Sequence, residues 1–151
     1  MSVDGKPKFS SAEVNLVLHA TEDGDKVLQA IQDVLLVPAQ RFSDSPSEGH
    51  HKNKIVLLKA ILSSEEAGNL ANRIMALLNA SDRDHLARSV AHYADEKGNL
   101  YLRVDKQRVC QGRLSLSETD AIRIRFRPIK RYKKSAGAES YINLFQATSL
   151  S

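Results

Sequence analysis

Residues 121–128, Ala121-Ile122-Arg123-Ile124-Arg125-Phe126-Arg127-Pro128, alternate apolar and basic side chains without a break. Because successive side chains of a β-strand point to opposite faces, this period of two predicts a strand. We expect Ile122, Ile124 and Phe126 to be buried on one face and the three arginines to lie on the other. The stretch therefore predicts a sheet strand with one apolar face and one strongly basic face.

The flanking segments predict a mixed architecture around this strand. Glu13–Thr21 also alternates, whereas residues 25–36 place apolar side chains at helical spacing until Pro38 ends the pattern. Ser63–Glu66 and Ser81–Asp84 have the spacing of capping boxes and predict two helix starts. The further predicted elements are a short edge strand that starts at 41–42, strands at 55–62 and 100–104, helices at 64–79 and 82–92, and one helical turn at 105–111.

The predicted order is β α (β) β α α β β, with no internal repeat. It favours an α+β fold with two layers, a mostly antiparallel sheet with helices packed on one face. Residues 55, 57 and 61 are also apolar, so we expect the second face of that strand to be covered too.

The length of 151 residues suits one domain. We expect a flexible N-terminus at 1–11, a single domain at 12–134 and a loose C-terminal tail at 135–151, in which Tyr141, Ile142, Leu144 and Phe145 have the option of docking as a short helix. No window approaches the roughly 18 to 20 apolar residues of a membrane span, and no secretory signal precedes the domain. The single cysteine, Cys110, is expected to be buried and fits a reducing cytoplasm.

Positive charge is concentrated in one segment. Seven of the 22 basic residues, and none of the 18 acidic ones, lie between Ala121 and Ala138, so the rest of the chain has 15 basic residues. A mildly acidic body thus carries one strongly basic segment, which predicts a polyanionic partner. A membrane surface is disfavoured because Ile129 is the only aliphatic residue between Pro128 and Ser135.

The arginines of residues 121–128 are suited to nucleic acid. Residues two apart on a strand are separated by about 6.5 Å, which is close to the spacing of successive phosphates. Each guanidinium can bind a phosphate in bidentate fashion, and Tyr132 offers a surface on which an unpaired base can stack. The alternative is a solvated face whose arginines pair with acids on neighbouring strands.

Three local patterns together resemble one known family. They are Val17–Asp23 followed by Lys26–Leu28, Glu48–Ile55, and Asp95–Gln107. They are similar to the archaeal RNA-binding family that is described as a predicted exosome subunit, over roughly Glu13 to Tyr132. The resemblance implies RNA as ligand, no known chemistry, and a fold similar to the large-subunit ribosomal protein that contacts 5S rRNA. His51, Lys52 and Lys54 depart from the family pattern and make their loop more basic.

Other chemistry finds little support. The pair His50-His51 invites a metal or acid–base interpretation, but no His/Cys pair elsewhere has a supporting spacing, so a polar loop that contacts RNA is favoured. Lys106 and Arg108 either contact RNA or cap a turn. The sequence thus predicts a non-catalytic cytoplasmic protein without metal or cofactor, whose RNA-binding residues are Arg123, Arg125, Arg127, Lys130, Arg131, Lys133, Lys134, His50, His51, Lys52, Lys54, Lys106 and Arg108.

Two rival functions stay open. One is a dimerising assembly module of an RNA-processing complex, with an acidic protein as partner. The other is a ribonuclease. Exosome-associated or ribosome-associated proteins are the expected protein partners, and homodimerisation is left open.

Overall fold

The computed structural model describes residues 8–48, 54–129 and 134–146. Its strands are β1 (Phe9–Leu18), β2 (Ser43–Glu48), β3 (Lys54–Leu62), β4 (Leu100–Asp105) and β5 (Ala121–Pro128). Its helices are α1 (Gly24–Leu35), α2 (Ser64–Leu77), α3 (Ala80–Arg88), α4 (Val90–Tyr93), α5 (Lys106–Cys110) and α6 (Lys134–Gln146). A single 3-10 turn, Ala39–Arg41, precedes β2.

The strands form one antiparallel sheet in the order β2-β3-β1-β5-β4. The predicted α+β class with an antiparallel sheet is confirmed. β1 lies at the centre because both of its edges are paired, to β3 and to β5. The basic strand β5 therefore lies between β1 and β4, and the side chains of these two strands determine whether its arginines are paired with acids.

One face of the sheet is buried under helices. Inward side chains of β1, β3, β4 and β5 form a single core with apolar residues of α1, α2 and α6. In β5, Ile122, Ile124 and Phe126 are buried and the arginines lie on the opposite face, as the alternation predicts. No helix in the described parts of the chain is long and apolar enough to cross a membrane.

The helix starts follow the capping rules with one shift. Ser63 and Glu66 form a reciprocal capping box at α2, as the spacing predicts. The cap of α3, in contrast, is Asn79, whose side chain accepts a hydrogen bond from the Asp82 backbone at 2.7 Å. The predicted cap at Ser81 is therefore wrong, because an asparagine two residues earlier satisfies the free backbone donors.

Two predicted boundaries are also wrong, and both lie at the ends of the domain. β1 begins at Phe9, inside the expected flexible N-terminus, because Phe9 is buried against Phe126 with ring centroids 4.9 Å apart. The expected loose tail contains α6, in which Tyr141, Leu144 and Phe145 are buried. Docking removes their apolar area from water, which stabilises the helix. The alternative prediction, that these residues dock as a short helix, is therefore the correct one.

The remaining differences concern exposure and the sheet edge. The edge strand is Ser43–Glu48 and begins directly after Arg41-Phe42, where the sequence places its start, and Pro46 is tolerated there because β2 pairs on one side only. The outer face of β3 is not covered: Leu57 is 40% and Ile61 61% exposed. Cys110 is exposed as well, and not the buried residue that the sequence suggested.

Candidate nucleic-acid interface

The open face of the sheet carries Arg123, Arg125 and Arg127, which we call the arginine row. Each arginine has defined neighbours on β1: Asn15 opposite Arg123, Glu13 opposite Arg125, and Ser11 opposite Arg127. Arg123 and Arg127 are exposed and Arg125 is partly buried. The row therefore presents three cations from a rigid central region of the sheet.

Arg125 is the member of the row that pairs with an acid. Its Nη2 lies 3.5 Å from Glu13 Oε1, and Lys59 Nζ lies 3.4 Å from the same oxygen. Burial raises the pKa of Glu13, but the hydrogen bond from Asn15 and the two cations outweigh it, so the pKa lies below its ordinary value. The alternative of acid-paired arginines thus holds for Arg125, while Arg123 and Arg127 form no ion pair with any residue that the structure describes.

A fourth arginine extends the row onto β4. Arg103 is exposed and lies directly opposite Arg123 in the β4–β5 register. Like charges directly opposite each other destabilise a sheet, and within the described residues no acid lies within ion-pair distance of either guanidinium. The pair is therefore an unfavourable local arrangement that a bound anion would relieve.

A groove of about 930 Å³ lies between this part of the sheet face and the segment that covers the outer edge of β4. Ser117 donates its backbone N–H to Arg103 O at 3.0 Å, so residues 115–117 run beside β4. Asp82 Oδ2 in turn accepts the Leu116 N–H at 3.0 Å, which ties α3 to that segment. The groove thus has one wall from the sheet, with Arg103, Arg123 and Arg125, and one from α3, α4 and residues 116–118.

The second wall is aromatic. Tyr93 lies edge-on to His85 and to His92, with ring centroids 5.9 and 5.1 Å apart, and all three rings line the groove. One continuous helix through residues 82–92 would separate the histidines by two turns. The chain instead breaks at Ser89, which brings both imidazoles to Tyr93.

Two carboxylates lie near the Tyr93 hydroxyl. Burial raises the pKa of Tyr93, and the charges of Glu118 and Asp82 raise it further. Both acids line the groove on the aromatic wall. The sheet wall thus carries three arginines, Tyr101 and a Glu13 that is paired with Arg125 and Lys59, whereas the opposite wall carries three rings and two carboxylates.

Lys106 does not belong to the RNA-facing set, and its sequence-based assignment is wrong. Its side chain is 0% exposed, and Nζ lies 2.7 Å from Val17 O, 2.7 Å from Glu22 Oε1 and 3.0 Å from Asp120 Oδ1. The ammonium is thus occupied by three acceptors inside the protein. Arg108 is exposed on α5, which packs against α1, and it does not line the groove.

Two acceptors of Lys106, Glu22 and Asp120, also form a candidate cation cluster together with His19. Within the described part of the chain, ligand atoms of His19, Glu22 and Asp120 lie close enough together to hold a metal ion. The Lys106 ammonium already lies against two of them. The Lys106 ammonium therefore already neutralises these carboxylates, as a metal ion would. The cluster is poorly suited to hold a metal ion in addition to the ammonium.

Several predicted site residues lie outside the described residues: His50, His51, Lys52, Lys130, Arg131 and Lys133. Lys54 and Lys134 are described only as backbone positions, the first residues of β3 and α6. Arg103 and the rings of the groove are not among the site residues that the sequence predicts. The alternation of Tyr101-Leu102-Arg103 predicts that Arg103 is exposed on its strand. That Arg103 lies beside the arginine row follows only from the pairing of β4 with β5.

The chain resembles known proteins over most of its length. Residues 11–128 match the model of a family described as RNA binding. Over 129 residues the chain is 30% identical to an RNA-binding protein of Pyrococcus abyssi, covering 82% of this chain and 84% of that protein. A solved protein of Archaeoglobus fulgidus aligns with a TM-score of 0.73 at 25% identity over 91% of this chain and 98% of that one. A second, from Methanothermobacter thermautotrophicus, has a TM-score of 0.67 at 25% identity over 89% and 93%.

Proposed function

Because the chain belongs to the RNA-binding family whose model matches residues 11–128, we propose that it binds RNA through the open face of its sheet, with the arginine row on the phosphates. The observation that carries this proposal is the Arg103–Arg123 pair, two exposed arginines at opposed positions of β4 and β5. A phosphate between them would replace repulsion by two charge-assisted hydrogen-bonding partners. The basic run after Pro128 adds further positive charge next to the same strand.

The cellular role that we propose is that of an exosome-associated accessory factor in cytoplasmic RNA processing, with a fold akin to the ribosomal protein that contacts 5S rRNA. Its support is the resemblance of the three sequence patterns given above. Crosslinking in cells, followed by sequencing of the bound RNA and identification of co-purified proteins, tests this role. Enrichment of processing intermediates together with exosome subunits is expected, and a random RNA sample without them would contradict it.

The mode of binding is tested by its dependence on salt. Each phosphate neutralised on single-stranded RNA contributes about −0.7 to the slope of log K against log salt. Replacing Arg123, Arg125 and Arg127 together with Gln is expected to flatten this slope by about two. Binding to unrelated sequences should weaken alike, because phosphate contacts do not read bases. Fluorescence anisotropy with two unrelated labelled oligonucleotides at several salt concentrations measures both effects.

A variant with the same change in net charge provides the control. Lys26, Arg88 and Arg113 are exposed and lie off the sheet face, so their joint replacement with Gln should leave the slope nearly unchanged. Equal slopes for the two triple variants would show that net charge, and not this face, sets the affinity. RNA binding with no salt dependence at all would favour the rival in which the basic face meets an acidic protein.

We also propose that the protein is not a ribonuclease. The support comes from the His19–Glu22–Asp120 cluster. There the Lys106 ammonium contacts Glu22 and Asp120, the two carboxylates that a metal ion would otherwise bind. RNA incubated with the purified protein, with and without divalent metals, is expected to stay intact. Reproducible cleavage that disappears in a His50→Ala or His51→Ala variant would contradict this expectation.

A further inference from the structure

We propose that the groove beside β4 binds one unpaired RNA nucleotide, with its base against the ring wall of His85, Tyr93 and His92 and its phosphate on Arg103 and Arg123. This inference rests on the proposed function and adds to it a ligand class, single-stranded or bulged RNA. It also adds a base-binding site beside the phosphate track of the arginine row, with which it shares Arg123.

The size and polarity of the groove match a nucleotide. Its volume of about 930 Å³ lies within the range of about 300–1,000 Å³ that is usual for small-ligand sites. A nucleotide has an anionic end and a planar, neutral end. The groove has a complementary arrangement, since Arg103 and Arg123 line the sheet wall and three of its four rings, those of His85, His92 and Tyr93, line the opposite one.

The rings of the second wall remain available to a ligand. His85 and His92 are exposed, and each ring lies nearly perpendicular to that of Tyr93, at interplanar angles of 83° and 87°. Neither T-shaped contact stacks the ring faces on each other, so the groove retains aromatic surface that an inserted base can cover. Aromatic side chains are the usual platforms for unpaired bases in RNA-binding proteins.

The carboxylates of the same wall favour an unpaired base over a paired one. Glu118 and Asp82 line the groove together with Tyr93. Every RNA base has at least one N–H donor on its Watson–Crick edge, and a carboxylate can accept it. In a duplex these donors are already used and the base is stacked, so a duplex has nothing to insert.

Photocrosslinking distinguishes the ring wall of the groove from its sheet wall, which carries Tyr101, and from the rest of the sheet face. An oligouridylate with one 5-iodouridine is irradiated with the full-length protein, and the tryptic peptides are identified by mass spectrometry. Trypsin separates the relevant aromatic residues: Tyr93 and His92 fall in peptide 89–97, His85 in 84–88 and Tyr101 in 98–103. We expect crosslinks in 84–88 or 89–97. Crosslinks confined to other peptides, 98–103 included, would overturn the proposal.

Variants supply a second readout. Replacing His85 and His92 together with Ala should weaken binding of a single-stranded oligonucleotide by about tenfold or more, as expected for the loss of aromatic contacts to one base. Binding to a perfect duplex of equal charge should not change. His19→Ala, which removes an exposed imidazole outside the groove, is the control and should leave both affinities unchanged. An unchanged single-strand affinity in the double variant would overturn the inference.

The two proposals fail in different ways. If the wild-type protein binds no RNA, or if the arginine-row variant binds as well as wild type, the proposed function fails and the groove loses its premise. If binding depends on the arginine row but the double histidine variant still prefers single strands over duplexes, only the nucleotide site is wrong.

Discussion

The Lys106 ammonium lies fully buried between Val17 O, Glu22 and Asp120, although lysine is among the residues least often found inside proteins. Its acceptors differ in exposure: the Glu22 side chain is 16% exposed and that of Asp120 43%. Burial raises the pKa of Glu22, but the hydrogen bonds from the His19 backbone and Lys106 outweigh it and hold the pKa below its ordinary value. The cluster therefore joins β1, the turn after it, α5 and the start of β5 through one charge.

We predict that losing the acid costs more stability than losing the lysine. Glu22→Gln leaves a buried ammonium with less compensating charge and should lower the free energy of unfolding by about 2–3 kcal/mol. Lys106→Met removes the desolvated charge itself and leaves two acids that can rehydrate, so its cost should be smaller. Urea denaturation at neutral pH measures both, and the reverse order would contradict this account.

The pH dependence of the same variants gives a second check. Because the pKa of Glu22 is lowered in the folded state, its stabilisation is present above the ordinary value of 4.5 and is lost as pH falls through the folded pKa. Both variants should therefore lose less stability than wild type upon acidification below about pH 4.5. Parallel curves for all three proteins would show that Glu22 gains nothing from Lys106.

At the scale of elements, the segment expected to be a loose tail forms helix α6, which packs into the core. Tyr141 is fully buried, donates its hydroxyl to Gly98 O, and stacks near Phe9 at 6.2 Å between ring centroids. Gly98 has a φ of 85°, a left-handed conformation that glycine adopts without strain, so the turn before β4 presents this carbonyl to α6. The helix thus connects the start of β1 with the turn that leads into β4.

We predict that Phe145→Ala lowers the free energy of unfolding by about 3–5 kcal/mol, the usual cost of removing a buried phenylalanine side chain. Phe145 is 0% exposed and packs near Tyr141 at 6.4 Å between ring centroids. Glu139→Ala, on an exposed position of the same helix, is the control and should change stability by less than about 0.5 kcal/mol. A thermal melt compares them, and equal effects would mean that α6 is not part of the cooperative core.

The sequence predicts elements well where one local pattern decides them. β5 alternates without a break and α2 carries its full capping box, and both lie where expected. Local patterns fail where a distant partner decides: α6 is helical because its rings dock on the core, and the histidines of the groove meet because the chain breaks at Ser89. The arginine row could be predicted and the second wall could not, since that wall exists only after α3, α4 and β4 pack together.

At the scale of the whole molecule, the fold separates stability from binding. The helices cover one face of the sheet, so the core is complete without the other face. The open face can then hold features that a stable protein would otherwise avoid, namely the Arg103–Arg123 pair and the exposed Leu57 and Ile61. Such local conflicts are expected where a surface serves a ligand.

This layout predicts the length of RNA that the protein binds. The arginine row spans about 13 Å, two steps of about 6.5 Å, which suits three successive phosphates. The groove at Arg123 adds one nucleotide, and four more basic residues follow Pro128 in the sequence before Ser135. We therefore expect the affinity for oligouridylates to rise steeply up to about six nucleotides and then only slowly, as additional binding registers become available. Anisotropy competition with strands of two to twelve nucleotides measures this profile.

In the Gln variant of the arginine row the steep part should flatten, because the phosphate contacts that each added nucleotide gains are gone. A wild-type affinity that keeps rising steeply to twelve nucleotides would require a longer track than the sheet face and groove provide.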